Sequence, residues 1–99
     1  MGQQFYLDVE RQSLTVRGNN SSLSRLEFRL LNLLVVRQNR VVKFDELISH
    51  TWGNLGGMDR QGLYVFISRL RNKIEYISED GPRIICIRDL GYLLRIHLD

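Results

Sequence analysis

The sequence predicts one α+β domain, in which short antiparallel strands come first, three helices follow and a β-hairpin comes last. Three observations predict this class. Near the N-terminus, apolar and polar residues alternate with the period of half-buried strands. In three later segments, apolar residues recur at the three- and four-residue spacing of helices packed on a core. Residues 83–96 then form two β-rich runs separated by three residues, which is typical of a hairpin.

The element boundaries follow from turn and capping residues. Ser24 and Glu27 have the capping-box spacing, in which each side chain bonds the other residue's backbone N–H, and they predict the start of the first helix. Asp59 has the side chain of an N-cap for the third helix, and a Gly-Pro pair at residues 81–82 predicts its end. In full, we predict a single domain over residues 1–99, with strands within 4–23, helices at 24–37, 44–52 and 60–78, a loop at 53–59 and a hairpin at 83–96.

The strand region contains two alternating runs, residues 5–9 and 13–16. We predict that these runs pair as antiparallel strands around residues 10–12. Gly18, Asn19 and Asn20 tolerate positive φ, so they favour a second tight turn. A third strand is expected after that turn, over residues 21–23.

The composition excludes several classes of protein. A single cysteine, Cys86, excludes an intrachain disulfide and indicates a reducing, cytoplasmic setting. His50 and His97 belong to no cluster with metal-ligand spacing, and the sequence has no phosphate-binding glycine loop or nucleophile motif. No apolar run approaches the roughly 18 residues of a membrane span. We therefore expect no enzyme activity, cofactor, metal, small-molecule substrate or membrane association.

The third predicted helix concentrates the positive charge. The whole chain has 14 basic and 11 acidic residues, whereas residues 60–77 contain four bases and one acid, Glu75. The apolar residues of one helix face are Leu63, Ile67, Leu70, Ile74 and Ile77. The opposite face carries Gln61, Val65, Ser68, Arg69, Asn72 and Tyr76. A basic, hydrogen-bonding face on an anchored helix suits a DNA major groove, and a solvated helix that happens to be basic is the alternative.

Four local patterns occur in order along most of the chain. They are Leu23-Ser24-x-x-Glu27-Phe28-x-Leu30-Leu31, Leu47 to Trp52-Gly53, Ile67-Ser68-Arg69-Leu70-Arg71-Asn72-Lys73, and Ile87-Arg88-x-x-Gly91-Tyr92. Together they resemble the C-terminal effector domain of OmpR/PhoB-class bacterial response regulators, a winged helix-turn-helix. The resemblance implies a DNA-binding output domain of a two-component system that regulates transcription.

The resemblance also implies roles for individual residues. In that family the third helix enters the major groove, and the hairpin, called the wing, reaches the neighbouring minor groove. By position, Arg69 and Val65 are implied to contact bases, and Gln61, Ser68 and Asn72 are further candidates because they share that face. Arg71, Trp52 and Tyr92 match positions that contact phosphates, and the basic Lys73 is a further candidate for a phosphate contact. Arg88 matches the wing arginine of the minor groove. For the tryptophan and the tyrosine, a ring packed in the core is an equal alternative.

Further partners are implied by the same resemblance. Family members usually bind tandem direct repeats as dimers on DNA. In activators, the loop before the third helix touches RNA polymerase, and its counterpart here includes Asn54, Leu55, Met58 and Asp59. A flexible connector without a partner is the alternative for this loop. A winged-helix module that binds protein through Val65 and Tyr76, and no DNA, is the competing function for the whole domain.

Several residues depart from the family pattern. Tyr64 and Phe66 stand where many members have an acid and a histidine, and Gly62 replaces a common Thr or Ser. Cys86 occupies a wing position that is often Thr, and Asp89 stands where Gly is frequent. The N-terminal half of the third helix is therefore atypical, so a typical family binding site is not assumed.

Overall fold

The computed structural model describes residues 5–53, 57–75 and 81–96. Within these ranges the chain forms two three-stranded antiparallel sheets and three helices, and the predicted α+β class is confirmed. The elements in chain order are β1 (Phe5–Asp8), β2 (Ser13–Val16), β3 (Asn19–Ser22), α1 (Arg25–Val36), β4 (Val42–Lys43), α2 (Phe44–Trp52), α3 (Arg60–Ile74), β5 (Arg83–Ile87) and β6 (Gly91–Arg95). None of the helices in the part that the structure describes is long and apolar enough to cross a membrane.

The N-terminal sheet has the strand order β1-β2-β3 and covers one side of the core with β2. Its second turn lies earlier than the sequence predicted, because Arg17 and Gly18 adopt φ of 52° and 83° and connect the paired residues Val16 and Asn19. Two successive residues with positive φ make a hairpin loop whose twist matches the flanking strands. The third strand consequently begins at Asn19, and Leu23, which was predicted to end it, packs into the core instead.

Helix α1 is the central helix of the domain and begins with the predicted capping box. The Ser24 N–H donates to Glu27 Oε1 at 2.9 Å, and the Glu27 N–H donates to Ser24 Oγ at 3.1 Å. Leu30, Leu31 and Leu34 are fully buried, so the helix contributes its apolar face to the core between the two sheets. The cap fixes where this face starts, because it satisfies two backbone donors that the first turn leaves without a helical partner.

The C-terminal sheet has the order β4-β6-β5, so the wing hairpin is extended by a strand that precedes α2. Val42 pairs with Tyr92 and Lys43 with Gly91, a pairing that the sequence did not predict. A Cβ atom at Gly91 would overlap the Val42 carbonyl, so the close approach of these strands requires glycine. The start of α2 is therefore tied directly to the wing.

Helix α3 packs its predicted apolar face against the core, with Leu63, Ile67, Leu70 and Ile74 fully buried. The helix ends at Ile74, four residues before the predicted end at residue 78. Glu75 leaves the helical conformation with φ −85° and ψ 84°, and its Oε2 accepts the N–H of residue 84 in β5 at 2.8 Å. The helical conformation thus stops earlier than the Gly-Pro signal indicated. Residues 76–80, and with them the predicted outer-face Tyr76, lie outside the described residues.

Candidate nucleic-acid interface

The face of α3 opposite the core is exposed and chemically mixed. Gln61, Arg69 and Asn72 are exposed and offer hydrogen-bonding groups, and Val65 adds an apolar contact at 44% exposure. Ser68, predicted on the same face, is half-buried. Tyr64, which was not among the predicted site residues, is 54% exposed. The structure therefore brings the predicted base-contacting side chains together on one accessible helix face.

Arg69 does not project freely from this face. Its guanidinium carbon lies 5.1 Å from the centroid of the Phe66 ring, within cation–π distance. Phe66 in turn meets Trp52 of α2 edge to face, at 5.0 Å between ring centroids and an interplanar angle of 79°. This Trp52-Phe66-Arg69 stack connects α2 to the exposed face. Trp52 is half-buried, so its ring both packs inside the domain and borders the surface.

A second arginine-aromatic contact lies at the start of α3. Phe44 is the first residue of α2, and the guanidinium carbon of Arg60 lies 4.4 Å from the centroid of its ring. Phe44 meets Tyr92 of β6 edge to face at 5.6 Å. Tyr92 is only 4% exposed, and its burial raises the pKa of its hydroxyl above the ordinary value. Its ring is thus mainly a core side chain.

Arg71 joins the C-terminal half of α3 to the wing. Its Nε donates to the carbonyl oxygen of Ile84 in β5 at 3.1 Å and lies 3.7 Å from Glu75 Oε2. The guanidinium carbon is 5.9 Å from the centroid of the Tyr92 ring. These contacts hold the helix against the hairpin through the Nε atom of the guanidinium that the resemblance assigned to a phosphate contact.

Lys73 points toward the N-terminal part of the domain. Its Nζ donates to Glu27 Oε1 and to the carbonyl oxygen of Ser22, each at 2.9 Å. Burial alone would raise the pKa of the Glu27 carboxyl, but hydrogen bonds from Ser24 and Lys73 and the lysine charge outweigh burial and lower that pKa. A phosphate contact by Lys73 would require this pair to break. Sequence periodicity contains no signal for a pair 46 residues apart.

The wing tip presents one positive and one negative side chain. Arg88 and Asp89 are both exposed. Asp89 has a φ of 63°, in the left-handed region that glycine adopts most easily, which agrees with the glycine expected at this position from the resemblance. The turn closes through a hydrogen bond from the Leu90 N–H to the Ile87 carbonyl oxygen at 2.9 Å. The Leu90 carbonyl oxygen accepts the Phe44 N–H at 3.1 Å, which fixes the tip against the start of α2.

The loop before α3 is only partly described. Asn54 and Leu55, predicted for a polymerase contact, lie outside the described residues. Asp59 is the N-cap, since its Oδ1 accepts the Gly62 N–H at 2.8 Å, and it is exposed. A Cβ atom at Gly62 would overlap the Met58 sulfur, so the unusual glycine leaves room for this methionine side chain.

The three helices, the C-terminal hairpin and the exposed face of the last helix together define a winged helix-turn-helix domain. A family model described as "Transcriptional regulatory protein, C terminal" matches residues 18–94. The chain belongs to this family, the OmpR/PhoB type that its sequence patterns resemble.

Individual relatives agree with this assignment. The sensory transduction protein RegX3 of Mycobacterium bovis is 36% identical over 88 residues, covering 89% of this chain and 39% of the relative. The response regulator ArlR of Staphylococcus haemolyticus is 30% identical over 89 residues, covering 90% of this chain and 40% of the relative. The chain thus spans about 40% of the length of these curated relatives. The DNA-binding domain of Klebsiella pneumoniae RstA, solved in complex with the RstA box, has a TM-score of 0.78 at 30% identity and covers 96% of this chain and 94% of that chain.

Proposed function

We propose that this domain binds double-stranded DNA sequence-specifically and thereby regulates transcription. In the proposed complex α3 lies in the major groove and the wing reaches the adjacent minor groove. The observation that carries the proposal is the exposed face of α3, which combines hydrogen-bond donors and an apolar contact on a helix anchored by four fully buried side chains. The RstA domain, similar over 96% of this chain, was solved with its DNA box and supports the same function here.

Base contacts are assigned to the exposed face of α3. Arg69 can donate two parallel hydrogen bonds to guanine O6 and N7, and the stack on Phe66 limits the orientations of its guanidinium. The amides of Gln61 and Asn72 suit adenine N6 and N7, and Val65 suits a thymine methyl group. Ser68, which is half-buried, is assigned a secondary hydrogen bond within this face.

Backbone and minor-groove contacts complete the proposed interface. Arg88 at the wing tip is assigned to the minor groove, where a narrow groove concentrates negative potential. The half-buried Trp52 borders the helix face and is assigned a phosphate contact from its indole N–H. Arg71 and Tyr92, which already contact each other inside the domain, are assigned to hold the wing and helix in register for DNA, with at most a partial phosphate contact.

We propose that the whole regulator acts in a two-component system of a bacterial cell, and relatives named a response regulator and a sensory transduction protein support this. We propose that two copies bind tandem direct repeats, and that the loop containing Met58 and Asp59 meets RNA polymerase. A sedimentation measurement on DNA with one and with two half-sites tests the first point. Two copies on the tandem site and one on the single site are expected, and one copy on both would contradict pairing.

Two measurements test the DNA-binding proposal. Bound duplexes are first selected from a random library, and their binding is then measured by fluorescence anisotropy at several salt concentrations. The library should converge on one motif, and the logarithm of the binding constant should fall linearly with the logarithm of salt as counterions are released. A library that does not converge, together with no measurable binding at low salt, would refute the proposal. A partner protein that buries α3 and excludes DNA would then favour the competing interaction module.

A further inference from the structure

The four basic side chains of α3 fall into two kinds. Arg71 and Lys73 are bound within the domain, to Ile84 and Glu75 in one case and to Glu27 and Ser22 in the other. Among the described residues, the remaining two, Arg60 and Arg69, contact aromatic rings and have no hydrogen-bond or ion-pair partner. The structure therefore separates bases that hold the helix in place from bases that remain available for a ligand.

Arg60 is the available base to which the sequence assigned no role. It is exposed, and within the ranges that the structure describes its guanidinium has no hydrogen-bond or ion-pair partner. The group lies over the Phe44 ring at 4.4 Å. A guanidinium that contacts a ring and has no hydrogen-bond partner among the described residues can still use its five N–H donors to bind an anion. The ring thus limits the motion of Arg60 and leaves its donors open.

The contacts of Phe44 place Arg60 between α3 and the wing. The Phe44 N–H bonds the carbonyl oxygen of Leu90 in the wing turn, at 3.1 Å. The preceding residue, Lys43, is exposed and pairs with Gly91 at the start of β6. A major groove and the neighbouring minor groove are separated by one phosphodiester strand. A cation between the major-groove helix and the minor-groove wing therefore faces that strand.

The position of Arg60 is unfavourable for the isolated fold. It is the first residue of α3, where the helix dipole favours anions and disfavours cations, and the N-cap Asp59, whose Oδ1 bonds the Gly62 N–H, forms no ion pair with it in the described structure. A local charge that opposes the helix dipole, with no compensating ion pair in the described structure, is typical of a residue kept for binding.

We propose that Arg60 contacts the phosphate strand between the two grooves, with Phe44 holding its guanidinium in position. This inference rests on the proposed DNA-binding function and adds a contact outside the face of α3 that contains Arg69. Arg60 reads no base. It positions the helix relative to the wing through one phosphate.

The test is fluorescence anisotropy with a selected duplex at several salt concentrations, with thermal melting of each variant. Arg60→Ala should lower affinity roughly tenfold at low salt, as expected for losing one hydrogen-bonded charge contact, and should reduce the salt slope by about 0.9. Arg60→Lys, which keeps the charge, should recover part of both. The melting temperature of Arg60→Ala should stay close to the wild-type value, because the relief of the helix dipole and the loss of the Phe44 ring contact have opposite effects of similar size.

Arg11→Ala is the matched control, because it removes one exposed positive charge from the turn between β1 and β2, in the other sheet. If the wild type binds and Arg60→Ala loses no more affinity or slope than Arg11→Ala, the inference is overturned while the DNA-binding proposal stands. The inference is equally overturned if Arg60→Lys binds no better than Arg60→Ala. If the wild type itself binds no duplex, the proposed function fails first.

Discussion

Replacing Lys73 by methionine tests whether this lysine holds the domain together or contacts DNA. The substitution keeps most of the length of the side chain and leaves Glu27, a residue that is 7% exposed, without its cation. Breaking a fully buried pair costs about 3–5 kcal/mol. Here the lysine side chain is 30% exposed and the Ser24 N–H still bonds Glu27, so we expect a smaller loss of about 1–2 kcal/mol in the free energy of unfolding.

Thermal denaturation at pH 7 measures this loss. For a domain of this size, about 1–2 kcal/mol corresponds to a fall in Tm of roughly 5–15 °C. Lys43→Met is the control, because Lys43 is exposed and contributes no ion pair in the described structure. Its Tm should stay within about 2 °C of the wild-type value, as for most surface substitutions.

The pH dependence gives a second check with a defined sign. The folded-state pKa of Glu27 lies below its ordinary value of 4.5, so its ionised form stabilises the fold above that value. This contribution is lost as the pH falls through the lower folded pKa. The Tm difference between wild type and Lys73→Met should therefore shrink in acid. An unchanged Tm at pH 7 would refute the structural role of Lys73. A difference that is undiminished after Glu27 is protonated would refute the contribution of the Lys73–Glu27 pair and leave only the bond to the Ser22 carbonyl oxygen.

Three further substitutions test other parts of the structure. Gly91→Ala should lower the free energy of unfolding by about 1–3 kcal/mol or more in a denaturant titration, because its Cβ meets the Val42 backbone, which has little freedom to move. Asp89→Gly should strengthen DNA binding, measured by anisotropy, because it removes a negative charge at the wing tip. The Tm should change little, because glycine readily adopts the left-handed conformation that Asp89 has. Phe66→Leu should reduce discrimination between DNA sequences more than total affinity, because Arg69 loses its ring contact; unchanged discrimination would contradict the stack.

The sequence predicts the helices well because their signals are local. Ser24 and Glu27 form the capping box that their spacing indicates, and α2 occupies the predicted residues 44–52. The buried face of α3 is also confirmed over the described residues, since a helical period determines which side chains share a face. Each of these features depends on residues three or four positions apart.

The features that the sequence missed depend on distant contacts. The pairing of β4 with β6 joins residues 42 and 92, and a two-residue strand has too little pattern to predict its partner. At the early end of α3, Glu75 bonds the backbone of β5, a residue nine positions away, whereas the Gly-Pro signal lies several residues beyond the helix end. The capping role of Glu27 was predictable from the sequence, whereas its ion pair with Lys73 was not.

The sequence predicted which side chains share the exposed face of α3, and it predicted less well which of them are available to contact DNA. Helical spacing placed Arg69, Val65 and Gln61 together, and the structure has all three exposed. The same spacing could not separate the engaged bases Arg71 and Lys73 from the available ones, because their partners lie in other elements. Charge counting treats all four bases of α3 alike, and only tertiary contacts distinguish them.

The most direct test of the central claim is the ratio of binding constants for a selected duplex and for a shuffled duplex, measured for wild type and Arg69→Ala. The wild-type ratio should reach about 10³ or more, as for specific DNA-binding domains. Arg69→Ala should lower it by about ten- to a hundredfold, because a bidentate base contact is lost, whereas Arg11→Ala should leave it unchanged. A wild-type ratio near one, or an Arg69→Ala ratio equal to the wild-type ratio, would contradict base reading by this face of α3.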